Sequence, residues 1–378
     1  MGKLLVMISP HNFYNHVNRK KINRPLKFAE FFNKNKAISQ VMVVNRLNPI
    51  LFIKGLKDDR RLIIKKNILF KLYQDKDGIS YLEHFLPFGF LERSLLPWYI
   101  KKVVKERSKD MILWIGDPKS VEIAEHINVP SIFDAYDDWS ISPLFLNRKR
   151  HIKHITKGYQ TATEMVDIIT VNSKYMRDKF RDSNNVHIIS NTSSINDESK
   201  EEKSKFEIDS SYKYFVGYVG NIHERINLEI VHYLIFNMPD TLFVFIGKND
   251  FESSAFVDLV TNNTNIIHIP EVPFSKVPSY INKFDACIVP HYLDDYTLSQ
   301  DSMKIYDYLA MGKPIVTTSI PPAPDLSEYL YVANTKEKFK EQLEIAYAED
   351  EEVNRHKRIN FVSENSWAEK IKSIVKLF

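Results

Sequence analysis

Four groups of side chains in this 378-residue chain have the types and spacing to do chemistry. In DSMKIYDYLAMGKPIVTT, residues 301–318, a hydroxyl (Ser302) and an amine (Lys304) stand where a helix would begin. The first turn of a helix has backbone N–H groups with no partner inside the helix, so such a start is a natural seat for a phosphate. In YVGNIHERIN, residues 218–227, Gly220 lets the backbone approach an anion closely, and Arg225 offers the forked donors that suit phosphate oxygens. In FDAYDDW, residues 133–139, Asp134, Asp137 and Asp138 crowd the end of an apolar run, where a carboxylate can take a proton or merely cap the next turn. In SPHNFYNHVNRKKINRP, residues 9–25, a polar and basic loop carries His11, Asn12, Arg19 and Arg24. That loop has an equally plain use as a solvated basic surface.

The elements that must position these groups follow from apolar periodicity. Ile305, Tyr308 and Leu309 are spaced for one face of a helix over 302–311; Gly312 can close it, and Pro314 prevents its continuation into the apolar run 315–318. Further short apolar runs predict strands at 3–8, 40–44, 111–115, 131–135, 168–171 and 186–189, then at 214–219, 241–246, 266–269 and 286–289. Helices are predicted from Pro25, with Phe28, Phe31 and Phe32 on one side, then at 95–107, 119–126, after Ser173, and at 228–237, 276–283 and 367–377. Residues 60–82 have hairpin character around Asp77-Gly78. Strands alternating with helices of about ten residues argue for parallel, doubly wound sheets, whose ligands bind in the loops at the carboxyl edge. The polar, charge-rich stretch at 195–212 divides the chain into a first domain at 1–194 and a second at 213–365.

Composition bounds the class. Apolar content of 44% and charged content of 26% are those of a soluble globular protein, and no apolar run is long enough to span a bilayer. The apolar start of the chain is too short for a secretory signal. Cys287 can form no internal disulfide, which suits a reducing cytoplasm. Residues 1–190 hold 33 Lys and Arg against 19 Asp and Glu, while the rest hold 19 against 29. A basic half joined to an acidic half points to an anionic partner for the first, an anionic membrane surface among the options. The helix at 95–107, aromatic on one side and lysine-rich, either packs on its own sheet or lies on such a surface. There is no metal-ligand spacing, no phosphate loop ending in Gly-Lys-Ser/Thr, no Gly-x-Ser-x-Gly elbow and no nucleic-acid-binding signature.

Ser302, Lys304, Asp307, Ala310, Gly312, Lys313 and Pro314 together resemble the nucleotide-sugar signature of GT-B glycosyltransferases. The likeness extends upstream through Val272, Pro273, Phe274, Pro278, Asp285 and Pro290, in that order. The resemblance implies two Rossmann-like domains facing across a cleft, with the final helix, 366–378, crossing back to the first domain. It implies a donor site in which Gly220, Asn221, Arg225, Ser302 and Lys304 meet the diphosphate, Val272 the base, His291 and Thr297 the diphosphate and sugar, and Asp307 the ribose. His11 and Arg24 would contact the acceptor. Many retaining members carry two glutamates eight positions apart; Ser299 and Asp307 stand there in this chain, which favours the branch resembling xanthan-type glucuronosyltransferases and teichuronic or capsular polysaccharide transferases. GYVGNIHERI and FDAYDDW carry that further likeness.

Inverting transfer needs a carboxylate base from the first domain, for which Asp138 is preferred and Asp137 is next. The function implied is transfer of a sugar, from UDP-sugar in particular, to a lipid-linked glycan acceptor in bacterial surface or exopolysaccharide synthesis. It would need neither metal nor other cofactor and would take place in the cytoplasm at the inner face of the membrane. Two alternatives stay open: a nucleotide-sugar epimerase of the same fold, and a non-catalytic subunit that binds a partner.

Overall fold

A computed structural model describes residues 2–9, 23–47, 61–66, 68–86, 90–195, 211–251 and 253–378. The chain divides into two compact units: Met1–Ser190 with Trp367–Phe378, and Asn191–Ser366. His11, Asn12, Arg19 and most of the linker expected at 195–212 lie outside the described residues.

The first unit is built on a nine-stranded sheet. Its strands are β1 (Lys3–Ile8), β2 (Ile38–Arg46), β3 (Arg61–Lys66), β4 (Phe70–Asp75), β5 (Ser80–His84), β6 (Met111–Ile115), β7 (Ser131–Ala135), β8 (Ile168–Val171) and β9 (Val186–Ile188). Their order is β3-β4-β5-β2-β1-β6-β7-β8-β9. From β5 to β9 every pairing is parallel; β3 and β4 add an antiparallel edge, and Gly78 at φ 86° makes the turn between β4 and β5. The parallel strands are apolar on both sides because helices cover both faces. On one face the helix Arg24–Lys34 and the returning helix Trp367–Val375 pack through Phe28, which lies edge-on to Trp114 at 5.1 Å and to Trp367 at 5.5 Å. On the other face Leu96, Tyr99 and Ile100 of the helix Phe90–Val104 join Ile123, Ile155, Tyr159 and Phe180 in one core. The 90–104 helix therefore packs on its own sheet, while its Trp98 stays 55% exposed.

The second unit is a six-stranded, wholly parallel sheet: β10 (Tyr214–Val219), β11 (Thr241–Ile246), β12 (Ile266–Ile269), β13 (Ala286–Val289), β14 (Ile315–Thr317) and β15 (Tyr331–Val332). The order β12-β11-β10-β13-β14-β15 is the 3-2-1-4-5-6 arrangement of a dinucleotide-binding fold. Strand order reverses between β10 and β13, and the crevice at their carboxyl ends is where such sheets bind ligands. Gly217 within β10 is required by close packing: a Cβ there would lie 2.0 Å from the ring of Phe284.

Candidate functional site

Of the residues expected in the donor site, Gly220, Arg225, His291 and Lys304 come together at that crevice. After β10 the chain turns at Gly220, φ 139°, a left-handed conformation that a side chain would strain. A Cβ there would also sit 2.9 Å from Lys304 Cε. The loop leaving Gly220 is zipped to the segment leaving β13: Asn227 N–H donates to Pro290 O at 2.7 Å, Tyr292 N–H donates to Arg225 O at 2.8 Å, and Ile226 bridges His291. The helix Met303–Ala310 is pinned to the same strand end, where Val219 N–H donates to the Tyr308 hydroxyl at 2.7 Å. These contacts bring Lys304, Arg225, His223 and His291 together from segments up to about eighty residues apart.

The cluster is made of basic side chains. Lys304 makes no ion pair among the described residues; its Nζ lies 4.9 Å above the Tyr218 ring. Arg225 reaches Gln300 Oε1 at 3.5 Å, and its buried Nε has no hydrogen-bond partner among the described residues. Burial, and then Arg225, hold the Lys304 amine well below its ordinary range, with Asp307 pulling the other way. Burial, followed by Arg225 and Lys304, lowers His223 to about 3. His291 is 3% exposed, its Nε2 3.3 Å from the Tyr218 hydroxyl, and burial with Lys304, Arg225 and His223 pushes it well down. Burial first, and the neighbouring basic groups after it, hold Lys304, His223 and His291 down, so a di- or trianion placed among them would raise all three.

That inversion makes a pH prediction. A histidine at about 3 in the folded chain and near 6.5 in the unfolded chain binds fewer protons when folded. Its contribution to stability is therefore full above about 6.5 and is lost as pH falls from there toward 3. Binding a nucleoside diphosphate should instead draw protons in. Titration calorimetry in two buffers of different ionisation enthalpy should read net proton uptake at neutral pH, and affinity should rise as pH falls from about 8 to 6. Zero or negative uptake would mean the anion does not sit among these groups.

Several expected ligands have structural uses. Thr297 forms a capping box with Asp294 at the start of the helix Asp295–Ser299, and its hydroxyl also donates to Tyr292 O at 2.7 Å. Asp307 is 8% exposed and its Oδ1 accepts from Ser193 Oγ at 2.7 Å and Ser194 N–H at 3.1 Å. It ties the chain entering this unit to the 303–310 helix. Asp301 does likewise for Asn191, whose side-chain amide donates to Asp301 O at 2.8 Å. Ser302 is the N-cap residue of that helix and makes no side-chain cap bond. Asn221 is exposed, with its carbonyl held by Tyr218, and Val272 is half-buried in the loop after β12. Ser299 is fully buried and donates to Tyr296 O. Tyr218 and His223 were not singled out from the sequence, although both lie in the stretch around Gly220 and Arg225.

In the first unit the aspartates stand at the carboxyl ends of β6 and β7. Arg24, expected at an acceptor surface, is instead 2% exposed. Its Nε and Nη2 donate to Asp134, and its Nη1 donates to Ile189 O at 2.7 Å, because helix 24–34 starts directly over β7. Thr170 Oγ1 adds a third donor to Asp134 at 2.9 Å. Asp138 is 2% exposed; one carboxylate oxygen accepts from Lys179 Nζ at 2.5 Å and the other from Ser140 N–H and Oγ. Asp137 is half-buried at the same edge, and its carbonyl accepts from the Tyr159 hydroxyl at 2.7 Å.

Comparison with known proteins accords with this geometry. Residues 213–348 match the family model of group 1 glycosyl transferases. Over 117 residues the chain is 23% identical to TuaH of Bacillus subtilis (strain 168), which carries a provisional description as a teichuronic acid biosynthesis glycosyltransferase. That match spans 31% of this chain and 30% of the relative's length. Among solved structures, an α,α-trehalose-phosphate synthase (UDP-forming) from Burkholderia vietnamiensis superposes with a TM-score of 0.69 at 10% identity, over 100% of this chain and 99% of that one. HepE of Anabaena, solved in complex with UDP and glucose, gives 0.64 at 12% identity over 100% of both chains.

The solved structures give the chain a fold of the GT-B type, two Rossmann-like units, and the second of these matches the group 1 glycosyl transferase model. The whole cluster of basic side chains falls within that match.

Proposed function

We propose that this chain moves a hexosyl group from a UDP-sugar to a lipid-linked glycan acceptor in the synthesis of a cell-surface or exported polysaccharide. The observation that carries the donor half is the gathering of the basic side chains Lys304, Arg225, His223 and His291 at the reversal point of the second sheet. When the acceptor oxygen attacks the anomeric carbon, the bond from that carbon to the diphosphate oxygen breaks and charge grows on the diphosphate. Fixed cations at that oxygen stabilise the transition state more than the ground state. Protein cations can supply this neutralisation without a metal. UDP is favoured because it figures in the relatives' own descriptions. The acceptor class is supported by the teichuronic acid biosynthesis named in TuaH's description and by the basic first unit.

The acceptor hydroxyl must lose its proton. Asp138 is a poor choice of base, since Lys179 and Ser140 engage both of its oxygens. We place the base on Asp137, the second carboxylate the resemblance offers, half-buried at the carboxyl end of β7. Asp137→Asn should lower transfer by about 10²–10⁴-fold with UDP-sugar affinity unchanged, the size expected for general base loss. Asp138→Asn should chiefly lower stability. The reverse pattern would restore Asp138 to the role.

Titration against UDP-, GDP- and TDP-sugars, followed by transfer assays with and without a lipid-linked acceptor, tests the reading. Failure to bind any nucleotide would sink it. Epimer formation without acceptor would replace it.

A further inference from the structure

We infer that the segment running from the turn at Pro143–Phe145 into the helix Lys149–Met165 is a docking surface for anionic lipid headgroups. Three observations on the first unit converge there. Leu144 and Leu146 are 70% and 62% exposed on consecutive turns, although apolar side chains of this size elsewhere on the unit are mostly buried. Residues 140–160 contain five Lys and Arg and no Asp or Glu. Leu146 and the basic side chains also share one surface: an open depression of about 690 Å³ is lined by Leu146, Arg148, Lys149, Arg150 and His154.

The inward side of the same helix is fully employed, with Ile155, Gly158, Tyr159 and Ala162 buried. Gly158 has no room for a side chain, since a Cβ would lie 1.9 Å from Pro118 O. The outward side is therefore held rigidly, with Lys149, Arg150, Lys153, His154 and Lys157 exposed. Glu122, the nearby acid, is already bonded to Arg93 and Lys157, so it does not cancel the rest. Leucines that can enter the headgroup boundary, ringed by cations that neutralise phosphates, are the composition of an interfacial contact. A soluble acidic protein would match the charge but gives no reason for two protruding leucines at the centre. The proposal rests on the transfer reading only for its purpose, since a lipid-linked acceptor is reached at a membrane.

Flotation of the full chain with vesicles tests it without turnover. Binding is expected to vesicles containing about 30% phosphatidylglycerol, not to pure phosphatidylcholine, and should be lost near 0.5 M salt. Arg148→Glu, Lys149→Glu and Arg150→Glu combined should weaken it about a hundredfold. Leu144→Ser with Leu146→Ser should weaken it at least about tenfold. All variants should keep wild-type melting and wild-type UDP affinity, which separates loss of the surface from loss of the donor site. Equal binding to both vesicle types, or no change in either variant, would overturn the proposal. So would equal affinity for a short DNA duplex that ignores the leucine changes, which would assign the patch to polyanions at large.

Discussion

Lys304→Met should lower kcat/KM by about 10²–10³-fold, the usual cost of deleting one preorganised charge at a developing anion. The ligand-free protein should at the same time melt a few degrees higher, of the order that about 1 kcal/mol produces in a unit of this size. Methionine keeps the aliphatic stem that fills the space above Gly220 and Tyr218. It removes an amine that burial and Arg225 both oppose. Relief of that opposition stabilises the free state, and the same opposition is what a diphosphate exploits. Lys313, nine residues on in the same signature, is the control. Its Nζ donates to Asn282 O and Phe284 O, closing the end of the preceding helix and loop. Lys313→Met should therefore cost stability and leave kcat/KM within a few-fold. Melting curves and steady-state kinetics on the two variants read the contrast. Turnover retained in Lys304→Met would sink the diphosphate assignment.

The contrast also shows what a sequence can and cannot reveal here. Lys304 and Lys313 look alike in the string, yet one lies at a strand's carboxyl end and the other at its start. Strands in the second unit were legible almost to the residue because parallel strands covered on both faces are continuous apolar runs: 214–219, 241–246, 266–269 and 286–289 all appear as expected. The 149–165 helix was not, because its inward stripe is Ile155, Gly158, Tyr159, Thr161 and Ala162, in which glycine and threonine break the apolar period. Gly220 and Lys304 do meet, a Cβ at the first lying 2.9 Å from Lys304 Cε, because both stand at ends of elements that apolar periodicity makes legible. Structural ties were not legible where a polar side chain serves a partner more than a hundred positions away. Asp307 meets Ser193, and Arg24 meets Asp134. Nothing in the local spacing of either residue announces such a partner.

Asp134→Ala should be the most destabilising single change in the first unit, by about 3–5 kcal/mol, because it leaves the buried Arg24 guanidinium without its counter-charge. Thr170 loses its acceptor as well. All four tryptophans, Trp98, Trp114, Trp139 and Trp367, belong to the first unit, so selectively excited tryptophan fluorescence follows that unit. Its denaturation midpoint should drop sharply while UDP binding by the second unit persists at low denaturant. Replacing both partners, Arg24→Met with Asp134→Leu, should recover much of the loss, since a packed apolar pair often equals a buried ion pair. Recovery of stability together with recovery of transfer would confine Arg24 to holding helix 24–34 on its sheet. Recovered stability with transfer still absent would return Arg24 to the acceptor site, through a rearrangement that exposes it.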